Sequence, residues 1–198
     1  MNQTKKRIIK KTITLYNKEG SNVPIKKIIS NANVSNGSFF HFFEKKDKVF
    51  EEMFLYIKDN FKKSIDIGYS INDDDDFIER VESLFISLIN WGTENIEYFI
   101  FLLKFKNNLK EEELLEDSNI LFYTLNKFIE IGIIQGYFKK IDSILLTKIS
   151  VSTIAQIIFY LDDHKNENKK DYFMLFLDFI KKSDINNNSL SYEEPEFV

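Results

Sequence analysis

Apolar side chains recur along this chain at spacings of three and four residues, the period that lays them along one face of an α-helix. Ile9, Thr12, Ile13 and Tyr16 share such a face, while Lys5, Lys6, Lys10 and Lys11 occupy others. The pattern predicts a helix over Thr4–Glu19, closed by Gly20 in the C′ position. Pro24 suits a first helical position, and Ile25, Ile28, Ile29 and Ala32 then mark a buried stripe. Asn33 tolerates a left-handed conformation and can end that helix, and Val34 returns to the core. Ser35 is a good N-cap for a brief further helix that starts with the small polar residues Asn36, Gly37 and Ser38 and continues with bulky Phe39 to Phe43. A helix, a tight turn and a second helix with a small polar start is the layout of a helix-turn-helix, whose second helix approaches a major groove.

From Asp47 the apolar positions Val49, Phe50, Met53, Phe54, Ile57, Phe61 and Ile65 keep helical spacing for about five turns. They predict a long, stiff connecting helix, with Gly68 as its stop. The acidic run Asn72 to Asp76 lacks the alternating ligands and glycine of a calcium loop, so it is expected to cap the next helix. Further helices are predicted over Phe77–Glu94, Ile96–Phe105 and Glu111–Gln135, with a break at Asn107–Lys110 and an end near Gly132 or Gly136. The last two, Asp142–Leu161 and Lys170–Lys181, are apolar over much of their circumference, so each needs cover on more than one side. A second copy of the chain would supply it. The expected fold is therefore all-α, with about nine helices. Residues 1–46 form a helix-turn-helix head, 47–183 a helical body for ligand binding and dimerisation, and 184–198 a frayed acidic tail.

Charge sharpens this division. The net charge of −4 conceals a basic start. Residues 1–50 hold eleven basic and three acidic side chains, a balance of +8, leaving −12 for the rest. A basic head on an acidic body points to a polyanionic partner for the head alone. There is no Cys, and the two His, His41 and His164, lie far apart, so thiolate metal sites are excluded and no cofactor is expected. No apolar run is expected to reach the length that spans a bilayer, and no signal peptide is read at the start, which suits a cytoplasmic protein without a membrane partner. With no clustered His and no phosphate-cradling glycine loop, nothing points to an enzyme; paired carboxylates such as Glu111-Glu112-Glu113 read as a solvated face.

These residues resemble the TetR family of bacterial transcriptional regulators. The likeness runs from Ile8 to Phe54: Tyr16 four residues before Gly20, then Ile25-Lys26-Lys27-Ile28-Ile29, Ala32-Asn33-Val34-Ser35, Gly37-Ser38-Phe39-Phe40-His41-Phe42-Phe43 and Lys46-Asp47. Asn33 replaces the usual glycine, Val23 stands where a Thr cap is common, and Phe40 and Phe42 stand where tyrosines are common. The resemblance implies a recognition helix from Ser35 to His41, in which Asn36, Ser38 and His41 read bases or phosphates, Gly37 allows close approach and Phe40 makes apolar contact. It implies phosphate contacts for Lys26, Lys27 and Lys46, with Lys5 to Lys11 also in reach. For the body it implies a pocket for a small hydrophobic or aromatic effector, built from Phe85, Leu88, Trp91, Tyr98, Phe101, Phe105, Phe122, Leu125 and Phe128. Trp91, Tyr98, Tyr123, Asn90, Asn126 and Gln156 are candidate polar handles. The implied function is a repressor that binds a palindromic, double-stranded operator as a homodimer, paired through 142–161 and 170–181, and is released by its effector. The rival reading is a helical small-molecule-binding module with weak or lost DNA binding.

Overall fold

Asn2 opens the first helix, its Oδ1 accepting the N–H groups of Thr4 (2.8 Å) and Lys5 (3.4 Å). The computed structural model describes residues 1–66, 76–106, 120–164 and 167–182. Within them lie nine α-helices: α1 Gln3–Glu19, α2 Ile25–Ala32, α3 Asn36–Phe42, α4 Lys46–Asp66, α5 Phe77–Glu94, α6 Ile96–Lys106, α7 Ile120–Ile134, α8 Ser143–Asp163 and α9 Lys169–Ile180. The expected stop at Gly68, the acidic run before Asp76, the break at 107–110, the start of a helix at Glu111 and the tail 184–198 lie outside the described residues.

Local chemistry accounts for most of these boundaries. Gly20 leaves α1 with φ +71°, a conformation that costs glycine little. Pro24 proves to be the cap of α2 and not its first residue, and α2 carries no side-chain cap. Val23, which stands where a capping Thr would, is buried completely and serves the core instead. Asp76 caps α5 by accepting the Ile78 N–H at 3.1 Å, and Asp142 caps α8 through the Leu145 N–H at 2.8 Å.

The three N-terminal helices close over Ile8, Ile9, Ile13, Val23, Ile28, Ala32, Phe39 and Phe43, all essentially without solvent contact. A unit of that size has a marginal core of its own. It gains support because α1 packs against α4 and α6 as well as α2. Along α4, Val49, Met53, Ile57, Phe61 and Ile65 recur every four residues and are all buried. Trp91 ties α5 to this helix, its Nε1–H donating to Asn60 Oδ1 at 2.8 Å and its ring standing edge-on to Phe61 at 4.9 Å.

In the body α8 is central, packed against α5, α7 and α9. Contrary to the sequence expectation, this 21-residue helix is long and apolar enough to cross a bilayer, with a mean hydropathy of 1.7 over an 18-residue window. Its Ser, Thr and Gln residues lower hydropathy only slightly, and half of its apolar window is buried inside the bundle. Thr147 and Asn126 bury a polar link between α8 and α7: the Thr147 hydroxyl donates to Asn126 Oδ1 (3.0 Å), and Asn126 Nδ2 donates to Glu130 Oε1 (2.7 Å).

Of the two glycines expected to end α7, Gly136 does so, at φ +81°, while Gly132 stays helical and faces Phe138. The N–H groups of Tyr137 and Phe138 fold back to the Gly132 carbonyl (2.8 and 3.1 Å), and an antiparallel bridge joins Phe138 to Lys181 after α9. A Cβ at Gly132 would lie 2.2 Å from the buried Phe138 ring. Gly132→Ala is therefore expected to destabilise the fold by about 1–3 kcal/mol despite its better helix propensity, lowering the melting temperature by several degrees in a thermal scan.

Candidate nucleic-acid interface

The turn between α2 and α3 is built by two polar residues. Asn33 sits in the left-handed region at φ 49°, ψ 58°, where Asn is tolerated without a glycine. The N–H groups of Asn33 and Val34 return to Ser30 O and Ile29 O (3.1 and 3.2 Å) and close α2. Ser35 then caps α3, its Oγ accepting the Ser38 N–H at 3.1 Å. Phe39 and Phe43 point inward and are fully buried, so α3 is pinned by one face.

Its other face is free. Asn36, Gly37, Phe40 and His41 are exposed, Ser38 is half-buried, and Phe40 shows 49% of its surface, a large fraction for such a side chain. The Phe40 ring is steadied edge-on by Phe39 at 5.3 Å. At Gly37 an added Cβ would meet nothing nearer than Ser35 Oγ at 4.0 Å. No internal packing demands glycine there, and the space beside it is open.

The lysines divide. Lys26 is exposed. Lys27 forms an ion pair with Glu19 at 2.5 Å, and Lys5 one with Glu52 at 3.0 Å, so neither ammonium is uncommitted. Lys48 and Glu51 hold each other at 2.7 Å, a hydrogen bond that raises the lysine pKa and lowers that of the carboxyl. Lys46 begins α4 with its Nζ over the Phe50 ring, 5.4 Å from the centroid. Ser35 to His41 are thus gathered on one short helix, with Lys46 four residues beyond its end.

The residues expected to line an effector pocket do not share one chamber. Phe85, Leu125 and Phe128 line a small apolar cavity together with Val81, Leu84, Ile129, Phe138, Ile154, Phe176 and Ile180; its volume is about 20 Å³. That is room for roughly a water molecule, against several hundred Å³ for a typical ligand site. Leu88, Trp91 and Phe122 are buried in the core around it. Tyr98 and Phe101 lie instead on α6 at its contact with α1, and the Phe105 side chain is outside the described set. Burial and a hydrogen bond to Tyr56 push the Tyr98 phenol well above its ordinary pKa. Among the polar handles, Asn126 is buried and fully engaged with Thr147 and Glu130, Asn90 accepts from Lys169 Nζ, and Gln156 is exposed.

A second concavity escaped the sequence reading. Gln3, Lys6, Arg7, Lys10, Lys11 and Thr14 of α1 face Glu97 and Tyr98 of α6 across a cleft of about 440 Å³. The signal was present: positions 3, 6, 7, 10, 11 and 14 have the spacing of a buried stripe but carry polar and cationic side chains.

The sequence matches no family model and no curated protein. The fold is another matter. A TetR family transcription regulator from Marinobacter aquaeolei VT8 superposes with a TM-score of 0.72 at 17% identity, covering 91% of this chain and 96% of that one. The ketosteroid transcriptional regulator of Mycobacterium tuberculosis gives 0.65 at 16%, covering 92% and 97%. The fatty acid degradation regulator of Bacillus halodurans gives 0.60 at 17%, covering 89% and 96%. This chain has the fold of the TetR-family regulators.

The superposition with TetR-family structures spans both the head and the body, whereas the sequence resemblance is strongest over Ile8–Phe54. In this TetR-fold chain the geometry of α3 depends on its cap. Ser35→Ala is expected to cost about 1 kcal/mol, read as a lower midpoint with unchanged slope in urea unfolding.

Proposed function

We propose that this chain is a ligand-responsive, DNA-binding transcription regulator of the TetR family, acting as a repressor. Residues 1–46 form the DNA-binding domain and 47–183 the effector and dimerisation domain. The observation that carries this reading is the outward face of α3. Small polar residues stand clear of the surface there, held from behind by two buried phenylalanines, on a segment with a charge balance of +8. Asn36, Ser38 and His41 read the major groove, Gly37 lets the backbone approach, and Phe40 packs against base or sugar. Lys46 and the α4 N-terminus take a phosphate. Lys26 contacts the backbone directly, and Lys27 does so by exchanging its Glu19 partner.

A second copy completes the molecule. On α9, Met174 (53%), Leu175 (65%) and Phe179 are exposed, as are Leu145 and Phe159 on α8. Apolar side chains of that size on adjoining helices mark an interaction face. Paired through these helices, two heads would reach successive major-groove faces of a palindromic operator, about 34 Å apart. The effector is a small apolar molecule that parts α5, α7, α8 and α9 around Phe85, Leu125 and Phe128, at a seam of about 20 Å³. The similarity in fold to a ketosteroid regulator and a fatty acid degradation regulator favours that ligand class. Such a protein works in the cytoplasm.

Gel shift of the purified chain on its own upstream DNA tests the reading. Binding is expected to be sequence-dependent and to weaken steeply with salt. Lys46→Glu is expected to abolish it while leaving helicity by circular dichroism intact. Absence of sequence-dependent binding there and on selected DNA would exclude the regulator. Leu175→Glu is expected to convert a dimer into monomers by light scattering, and with it to lower operator affinity by at least about tenfold.

A further inference from the structure

The cleft between α1 and α6 has the volume of a small-molecule site and the lining of an anion site. Its walls carry Lys6, Arg7, Lys10 and Lys11 against the single carboxylate of Glu97, a net +3 in about 440 Å³. Among the described residues, no carboxylate is paired with Lys6, Lys10 or Lys11. Arg7 reaches only a backbone carbonyl, that of Asn33 at 3.4 Å, and Lys6 lies 6.0 Å from the Tyr56 ring centroid. Glu97 accepts the Thr14 hydroxyl at 2.8 Å, and its single charge leaves the cations across from it in excess.

We propose that this cleft binds a polyphosphorylated small molecule, with Lys6, Arg7, Lys10 and Lys11 as the phosphate ligands and Tyr98 as a neutral aromatic wall. Like charges on successive turns of one helix repel, and a multivalent anion relieves that repulsion while making charge-assisted hydrogen bonds. Glu97 and Tyr98 of α6 wall the cleft opposite α1, so its occupant is held between two helices, whereas a duplex backbone would pass along an open face. The ligand would touch both α1 and α6, and so lie where the basic head meets the acidic body. This is a different place from the apolar seam around Phe85 and Phe128, and its ligand has the opposite chemistry.

Calorimetric titration of the full chain with sodium tripolyphosphate, at ionic strength held constant with sodium chloride, tests it. Saturable binding of one tripolyphosphate per chain is expected, with a matching rise in melting temperature. Lys10→Gln/Lys11→Gln should weaken binding by at least about tenfold. Glu97→Gln, which keeps an acceptor for Thr14, should tighten it. Lys62→Gln/Lys63→Gln removes the same charge from exposed positions on α4 and should leave affinity unchanged. The proposal is overturned by an absence of saturable binding at millimolar tripolyphosphate, by equal losses in the two lysine pairs, or by a Glu97→Gln variant that binds no more tightly. Loss of DNA binding in Lys10→Gln/Lys11→Gln, with no tripolyphosphate binding by the parent protein, would assign these cations to the duplex backbone and likewise overturn it.

Discussion

Tyr16 is the side chain on which the arrangement of this molecule turns. Its ring stands edge-on to Phe50 of α4 at 5.7 Å and to Phe101 of α6 at 5.1 Å. One residue of α1 thereby touches the connecting helix and the body together. Edge-to-face pairs of this kind contribute about 0.5–1.5 kcal/mol each beyond their buried area, enough to matter to a three-helix unit with a marginal core. Four residues later Gly20 turns the chain away with a positive φ, so the helix ends just after the contact is made. Around the ring runs a polar ring of bonds: Thr14 to the Glu97 carboxylate, Asn17 Nδ2 to the Glu97 carbonyl at 2.7 Å, and Lys104 to the Asn17 carbonyl.

That junction also fixes what the head presents outward. Phe50 carries Lys46 over its other side, so the ammonium proposed to meet phosphate is positioned by the same ring that meets Tyr16. Phe43 packs in the head core beneath Lys5, whose Nζ lies 5.7 Å from its centroid while bonding Glu52 of α4. Lys5 thereby ties Phe43 of the head core to α4, and Tyr16 ties α1 to both α4 and α6. The proposed effector would act on the head through these contacts.

What was legible in the sequence was local. Ser35 as a cap, Asn33 as a left-handed stop and the helical recurrence along α4 all follow from chemistry within a few residues, and all appear in the structure. Val23 was harder, because a β-branched residue ahead of a proline reads equally as a weak cap or as core, and only its packing under α1 and α2 decides. The docking of α6 on α1 links residues 80 and 83 positions apart, a pairing that no spacing rule contains. Asn126 looked like a surface or pocket residue because its partner Thr147 is twenty-one positions away in another helix. The apolar length of α8 was underrated for the opposite reason: its Ser and Thr residues look polar in the sequence, yet Thr153 and Ser152 return their hydroxyls to carbonyls one turn back and leave the helix apolar in effect.

Why the aromatic residues close around so small a cavity, while a run of lysines lines an open cleft, follows from how each kind of side chain fills space. Apolar groups gain by every contact and suffer from every void, so rings such as Phe77, Tyr137 and Phe138 stack across one another until almost nothing is left open. A cavity among them costs free energy and persists only when something occupies it, which is why the seam at Phe85 and Phe128 holds only about 20 Å³. Cations do the reverse. Lys6, Arg7, Lys10 and Lys11 sit where an apolar stripe would have zipped α1 onto α6, but each keeps its charge hydrated and repels its neighbours, so the two helices touch at Thr14, Tyr16 and Asn17 and gape toward the N-terminus. Counting hydrophobic residues therefore locates where a protein is closed. The places where it stays open are marked by polar residues at spacings that ought to be apolar.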